Sequence, residues 1–268
     1  MSFFRTVAAL CSGFQTYRPY RDLPISSSLK YLVQLMTVLA LVLTLVTIPW
    51  SLSVGTEFAQ WAEAHLPRFA IQDGKIVTSA TQPARVQRGD ALFILDTTGH
   101  VTSPDTNATR GVLFGADSVT VWMSDPSVKP PVVVQRATPL RGFPDGVVDA
   151  AYWQRLLRTS VGLLAPLAWI GLALGGMLMC LIQAYLFSLV AALLERSLPR
   201  PMTLTQLLNI SIHAVTPAAI IVTAYLAMRL EGLSFWLTYL IAYGVFLVGA
   251  TNACRESSDD PPREDDLL

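Results

Sequence analysis

Polarity along this chain comes in blocks. Four windows contain no Asp, Glu, Lys or Arg: residues 31–56, 159–194, 201–228 and 232–254. A hydrocarbon core about 30 Å thick needs about 20 apolar residues of helix. Residues 31–50 meet that need and end on Pro49 and the interface-preferring Trp50. They do not read as a cleavable signal peptide, because the stretch is long and no Ala-x-Ala site follows it. A second span is expected within 159–195. As one helix its charge-free window would be about 54 Å long. Pro166 and Gly175-Gly176 are its only break points, so one long crossing and two short ones both stay open. A third span is expected over 203–228 and a fourth over 233–251. The Arg229-Leu230-Glu231-Gly232 turn between them is short enough to force an antiparallel helical hairpin.

Between the first two spans the pattern changes. Residues 68–72 and 75–78 flank Asp73-Gly74, a strong short hairpin signal. Residues 91–95 (Ala-Leu-Phe-Ile-Leu) read as a buried strand stopped by Asp96-Thr97-Thr98-Gly99. Residues 111–114 and 119–123 flank Gly115-Ala116-Asp117-Ser118, a second hairpin. Residues 131–135 add an edge strand, since Pro130-Pro131 donates nothing to a ladder. Helices are expected over 54–65 and over 148–159, the latter running into the second span. Residues 51–158 therefore predict a β-rich domain inserted into a bundle of about four helices. None of the three cysteines (Cys11, Cys180, Cys254) falls in it, so it is expected to have no disulfide.

The ends differ from both. Phe3, Phe4, Val7, Leu10, Phe14 and Tyr17 recur at helical spacing opposite Arg5 and Gln15. That predicts an amphipathic N-tail, residues 1–30, lying on the inner leaflet. Residues 252–268 are acidic, contain Pro, and are expected to be disordered.

Charge sharpens this layout. Only 14% of the chain is charged, against about 25% in ordinary soluble domains. The 19 basic and 19 acidic residues cancel, which argues against a nucleic-acid binder with a strongly basic surface. With four spans, Arg5, Arg18, Arg21, Lys30, Arg196, Arg200, Arg255 and Arg263 share one side, against Arg155, Arg158 and Arg229 near the membrane on the other. The positive-inside rule then sets both termini in the cytoplasm and residues 51–158 outside it. With five spans that excess disappears.

These features together carry a resemblance. A short aromatic-basic tail precedes the first span. Leu66-Pro67-Arg68-Phe69-Ala70-Ile71-Gln72-Asp73-Gly74-Lys75-Ile76 follows it. Then come Phe93-Ile94-Leu95-Asp96-Thr97-Thr98-Gly99, a Gly-hydrophobic-Leu-Phe-Gly-x-Asp-Ser-Val stretch at 111–119, and clustered C-terminal spans. The chain, over about residues 1–250, resembles the uncharacterised bacterial polytopic membrane family called Domain of Unknown Function 1189. More distantly it resembles the Yip1-like polytopic proteins. The resemblance implies a bacterial inner-membrane protein with an extracytoplasmic insert and no established activity. A label on some members links them to maltodextrin use, which implies carbohydrate uptake as an alternative.

Candidate chemistry is sparse. An Asp-Thr-Gly after a strand suits aspartic proteases, where two facing carboxylates share a proton. Here an extra Thr intervenes and one copy exists, so Asp96 and Gly99 read as a turn, with Pro67, Asp73 and Gly74 as the other structural motif. Aspartyl phosphotransfer would need a second Asp, a Lys and magnesium ligands, and none is evident. His213 is the only ionisable residue of the Asp, Glu, Lys, Arg and His set inside a span. Gln206, Asn209 and His213 share a helical face that Thr216-Pro217 continues, and Gln183 offers another amide. Intramembrane polar residues either mark a relay or substrate path or tie helices together. Hydrogen-bonded packing is the expectation, with a polar site at Gln183, Asn209 and His213 as the alternative. Gly171, Gly175 and Gly176 are expected to let helices of this chain pack closely. No catalytic residue, metal site or cofactor is expected. The expected function is a non-enzymatic scaffold or accessory protein. Its partners are the lipid bilayer and a protein or envelope component, not nucleic acid. Transport, or help to a transporter, is the rival reading.

Overall fold

A computed structural model describes residues 2–101, 108–125, 132–196, 201–230, 232 and 234–259. The chain forms two compact units, residues 50–162 and the remainder on either side. The first unit holds the N-terminal segment and parts of the long helices. The second is rich in β-structure.

Among the described residues, four helices are long and apolar enough to cross a membrane: α3 (Ile25–His65), α4 (Ala150–Glu195), α5 (Leu204–Met228) and α6 (Phe235–Asp259). Before them come α1 (Phe3–Ser12), a 3-10 turn (Phe14–Tyr17) and α2 (Arg18–Arg21). Helix α5 is the centre of the first unit. Its run of small and branched residues, Ile210 to Ala218, is buried throughout. It starts with a capping box: the Gln206 amide donates to Thr203 Oγ1 at 3.3 Å and the Thr203 amide to Gln206 Oε1 at 2.9 Å. It stops where Arg229 enters the left-handed region at φ 53°.

Several boundaries differ from those the sequence suggests. The 31–50 span and the 54–65 helix are one helix, because Pro49 removes a single backbone donor and no second proline lies inside it. The 159–195 span, by contrast, is one continuous helix with the 148–159 segment expected to run into it, which is one of the two alternatives the sequence leaves open. Pro166 and Gly175-Gly176 lie inside α4. Residues 252–259, expected to be disordered, continue α6, while 260–268 lie outside the described residues. Most consequential is the N-terminal segment. Rather than presenting its apolar side to a leaflet alone, it buries Leu10 and Tyr17 completely in the same core as Ile210 and Tyr243. Arg18 Nε donates to the Ala253 carbonyl and an Arg21 guanidinium nitrogen to the Cys254 carbonyl, both at 3.0 Å. Cations bonded to carbonyls in the last part of a helix are favourably placed against its dipole.

The second unit contains two sheets. Strands β1 (Ala70–Gln72), β2 (Lys75–Val77) and β8 (Gly146–Val147) run in the order β2-β1-β8. The larger sheet has β3 (Ala84–Arg88), β4 (Ala91–Leu95), β5 (Arg110–Phe114), β6 (Ser118–Asp125) and β7 (Val132–Pro139) in sequential order. All its pairs are antiparallel except β4–β5, which is parallel. Asp73 (φ 51°) and Gly74 (φ 73°) make the two-residue β1–β2 turn, in which successive positive φ values match the strand twist. A Cβ at Gly111 would lie 2.1 Å from the Trp122 ring, so this glycine lets the indole lie flat on the sheet. The core gathers Phe69, Ile71, Phe93, Leu95, Phe114 and Leu140, with the helix residues Phe58, Trp61 and Tyr152 packed on it. Where α3 and α4 meet within this unit, a Cβ at Gly55 would come within 2.0 Å of Leu157.

Candidate functional site

Two clusters of polar side chains stand out, one in each unit. The first follows β4. Its last residue, Leu95, is buried, and the next amide, of Asp96, donates to the Phe114 carbonyl at 2.9 Å. Asp96 is only 3% exposed. Its Oδ1 accepts from the Thr98 amide at 3.0 Å and the Thr98 hydroxyl at 2.5 Å, and its Oδ2 accepts from the Val101 amide at 2.6 Å. Gly99 turns the chain at φ 79°. The Thr97 amide and hydroxyl both reach Gln82 Oε1, and the Thr98 hydroxyl meets His100 Nδ1. Burial pushes the Asp96 carboxyl up, but the Thr98 hydroxyl and the amides of Val101, Thr98 and Gly99 outweigh it and hold the group below the ordinary carboxylate range. Both oxygens are thus engaged in turning the chain. Among the described residues, no three His, Cys, Asp or Glu side chains gather as a metal site would need.

Pro67 borders a depression of about 250 Å³ with Glu63, Arg68, Asp149 and Trp153. Gly74 sits under Arg141, whose Cγ would be 3.0 Å from an added Cβ. Among the described residues no side-chain hydrogen bond joins Pro67, Asp73 or Gly74 to the Asp96 turn.

The second cluster lies on α5. Gln206, Asn209, His213 and Thr216 form one polar stripe, and the N-terminal segment covers it. Gln206 Nε2 donates to Asp22 Oδ1 at 2.7 Å. Asp22 pairs with Arg21 at 2.9 Å, and the hydrogen bond from that guanidinium holds the carboxyl below its ordinary range. Asn209 is fully buried. Its Oδ1 accepts from the Ser28 hydroxyl at 2.8 Å, and its Nδ2 donates to the carbonyls of Leu23 at 2.6 Å and Arg21 at 3.1 Å. His213 Nδ1 lies 2.8 Å from the Asn209 carbonyl, which only accepts, so Nδ1 carries the proton. The imidazole is stacked between Tyr20 (4.6 Å between centroids) and Tyr31 (4.8 Å). The Tyr31 hydroxyl meets Thr216 Oγ1 at 2.8 Å.

Gln183 is not part of this stripe. Its Oε1 accepts from the Tyr239 hydroxyl at 2.6 Å, and it lines an apolar groove of about 180 Å³ whose walls include Met36, Leu172 and Trp236. The expected line Gln183–Asn209–His213 is therefore two separate arrangements. The sequence alone does not reveal Tyr20, Ser28 and Tyr31 as partners of the stripe, because an amphipathic N-tail reads as a helix on a membrane surface. The available signal was the aromatic and hydroxyl content of residues 17–31. The glycines also divide. A Cβ at Gly171 or Gly175 would meet nothing within 4 Å, whereas one at Gly176 would lie 3.3 Å from Met36 Sδ. Packing within this chain explains Gly176 but not the other two.

Against known proteins, a family model described as Protein of unknown function (DUF1189) matches residues 5–251. No curated protein matches the chain. No solved structure matches it either. The link to Yip1-like proteins finds no support in these comparisons.

Proposed function

This chain belongs to the DUF1189 family, and from that premise we propose that it is a non-enzymatic scaffold or accessory protein of the bacterial inner membrane. In this reading the four apolar helices span the bilayer, both termini are cytoplasmic, and residues 51–158 form an extracytoplasmic domain that binds a protein or envelope partner. The lysines and arginines flanking the helices support that orientation. The exposed apolar side chains of α4, such as Leu163, Leu167, Leu178 and Leu194, suit a lipid environment.

One observation carries the partner-binding role. Among the described residues, the inner face of the large sheet is covered over only part of its width. Phe93, Val112, Val121 and Arg136 form a row across β4 to β7 in direct register. At the β4 end Phe93 is buried, but at the β6–β7 end Val121, Met123, Val132 and Val134 are 48–69% exposed. The face that makes the core thus continues as an uncovered apolar patch, the kind of surface that marks interaction sites. Transport through the bundle has less support, since His213 and Asn209 are filled by the N-terminal segment and Gln183 lies apart from them.

A photo-crosslinking residue at Met123 tests this in cells. A discrete adduct from position 123, absent from a control at Gln87 on the opposite edge, is expected. Equal adducts from both positions, or none, contradict the reading.

A further inference from the structure

The two edges of the large sheet are unlike. At one, β3 presents Arg85, Gln87 and Arg88, all exposed. Charged side chains are a usual guard against unwanted strand pairing. At the other, β7 reads Val132-Val133-Val134-Gln135-Arg136-Ala137-Thr138-Pro139, with a single charge in eight residues. Seven of those residues are exposed. Strand β7 pairs with β6 on one side, and among the described residues no strand covers the other. Half its backbone donors and acceptors therefore face outward, and a ladder of that kind is matched by an extended backbone.

Side chains narrow the choice of partner. Val132, Val134 and Arg136 alternate onto the uncovered apolar face, opposite Asp125, Met123 and Val121 of β6. Among the described residues no ion pair reaches Arg136. A second copy of this chain fits poorly. Antiparallel pairing of two β7 strands in the register centred on Arg136 would bring two guanidinium groups together, and the β7 sequence itself contains no acidic residue. An extended peptide with an acidic side chain opposite Arg136 and apolar ones opposite Val134 and Val132 satisfies the ladder, the patch and the charge together.

We propose that β7 is a strand-addition site for such an acidic–apolar extended segment of another protein. This rests on the partner-binding role proposed above and specifies its chemistry.

The test uses the full chain in detergent and fluorescence polarisation with two labelled synthetic probes, Ser-Glu-Thr-Val-Ser-Val-Thr-Ser and its reversed order, one for each strand direction. At least one is expected to bind at least tenfold more tightly than its counterpart with Lys in place of Glu. Arg136→Glu, at an exposed position, should reverse that preference. N-methylation of alternate peptide amides on the ladder side should abolish binding. No binding by either probe, equal binding of the Glu and Lys peptides, or indifference to N-methylation each overturns the proposal. So does concentration-dependent dimerisation that Arg136→Ser, which removes the clash of two guanidinium groups, strengthens, since that would point to self-pairing. If the crosslink from Met123 persists while the peptide results fail, the partner-binding role stands and the strand-addition mode falls. Loss of both removes the role itself.

Discussion

Asp96 offers a close test of how the turn after β4 is built. Replacing it with Asn keeps an oxygen for Thr98 but turns an amide toward the Val101 N–H, so two donors face each other where Oδ2 now accepts at 2.6 Å. A hydrogen bond to a charged group contributes about 1.5–3 kcal/mol. Because Val101 is partly buried, Asp96→Asn should cost about 2–3 kcal/mol of local stability. Asp96→Ala also forfeits the two bonds from Thr98. That residue is exposed and water replaces much of the loss, so the total rises only to about 3–4 kcal/mol. The readout is hydrogen exchange of the amides in 96–101, in the full chain, converted to opening free energies. The pH dependence has a definite sign. Folding lowers the Asp96 pKa. Its contribution is therefore fully present above the ordinary carboxylate value and is lost as pH falls through the folded value. The gap between wild type and Asp96→Asn should then hold from neutral pH down to about 5 and shrink below about 4. A variant as protected as wild type, or a gap unchanged in acid, would refute the turn-forming role of this carboxylate.

Other substitutions probe the remaining packing. His213→Ala removes two ring contacts of about 0.5–1.5 kcal/mol each, so trypsin should nick the chain after Arg21 faster, and His213→Phe should largely restore resistance. Gly74→Ala forces an L side chain into a positive φ and against Arg141, at a cost of about 1–2 kcal/mol, visible as faster exchange in β1 and β2. Gly171→Ala meets open space and should leave thermal stability unchanged or raised by up to about 1 kcal/mol, whereas Gly176→Leu should lower the melting temperature by displacing Met36.

The charge-free windows made the four helices legible, and turn chemistry made the β-rich region between the first two legible. Both signals are local: a run of apolar residues, or an Asp-Gly between alternating ones. What the chain did not disclose in advance was long-range. The parallel β4–β5 pairing depends on how the chain returns after the Asp96 turn, and no local pattern encodes that. Strand β3 alternates apolar and polar positions only over the four residues Ala84 to Gln87, with Ala84 and Val86 its sole apolar side chains, the weakest run that flags a strand. The stripe at Asn209 and His213 was visible as a helical face. Its partners were not, because Ser28, Tyr20 and Tyr31 lie some 180 residues away in sequence. Helix continuity through Pro49 also escapes local reasoning, whereas a single helix through Pro166 is one of the two readings the sequence leaves open. A single proline weakens a helix, and only the surrounding residues decide whether it ends there.

Cysteine accessibility in intact cells tests the central claim most directly. Cys11 is exposed while Cys180 and Cys254 are buried, so the native chain already carries one reporter in the N-tail. Ser79, exposed just beyond β2, provides a second as Ser79→Cys in a Cys11→Ser background. A membrane-impermeant maleimide should label position 79 in intact cells and Cys11 only after the membrane is opened. Labelling of Cys11 in intact cells with position 79 protected would contradict the account.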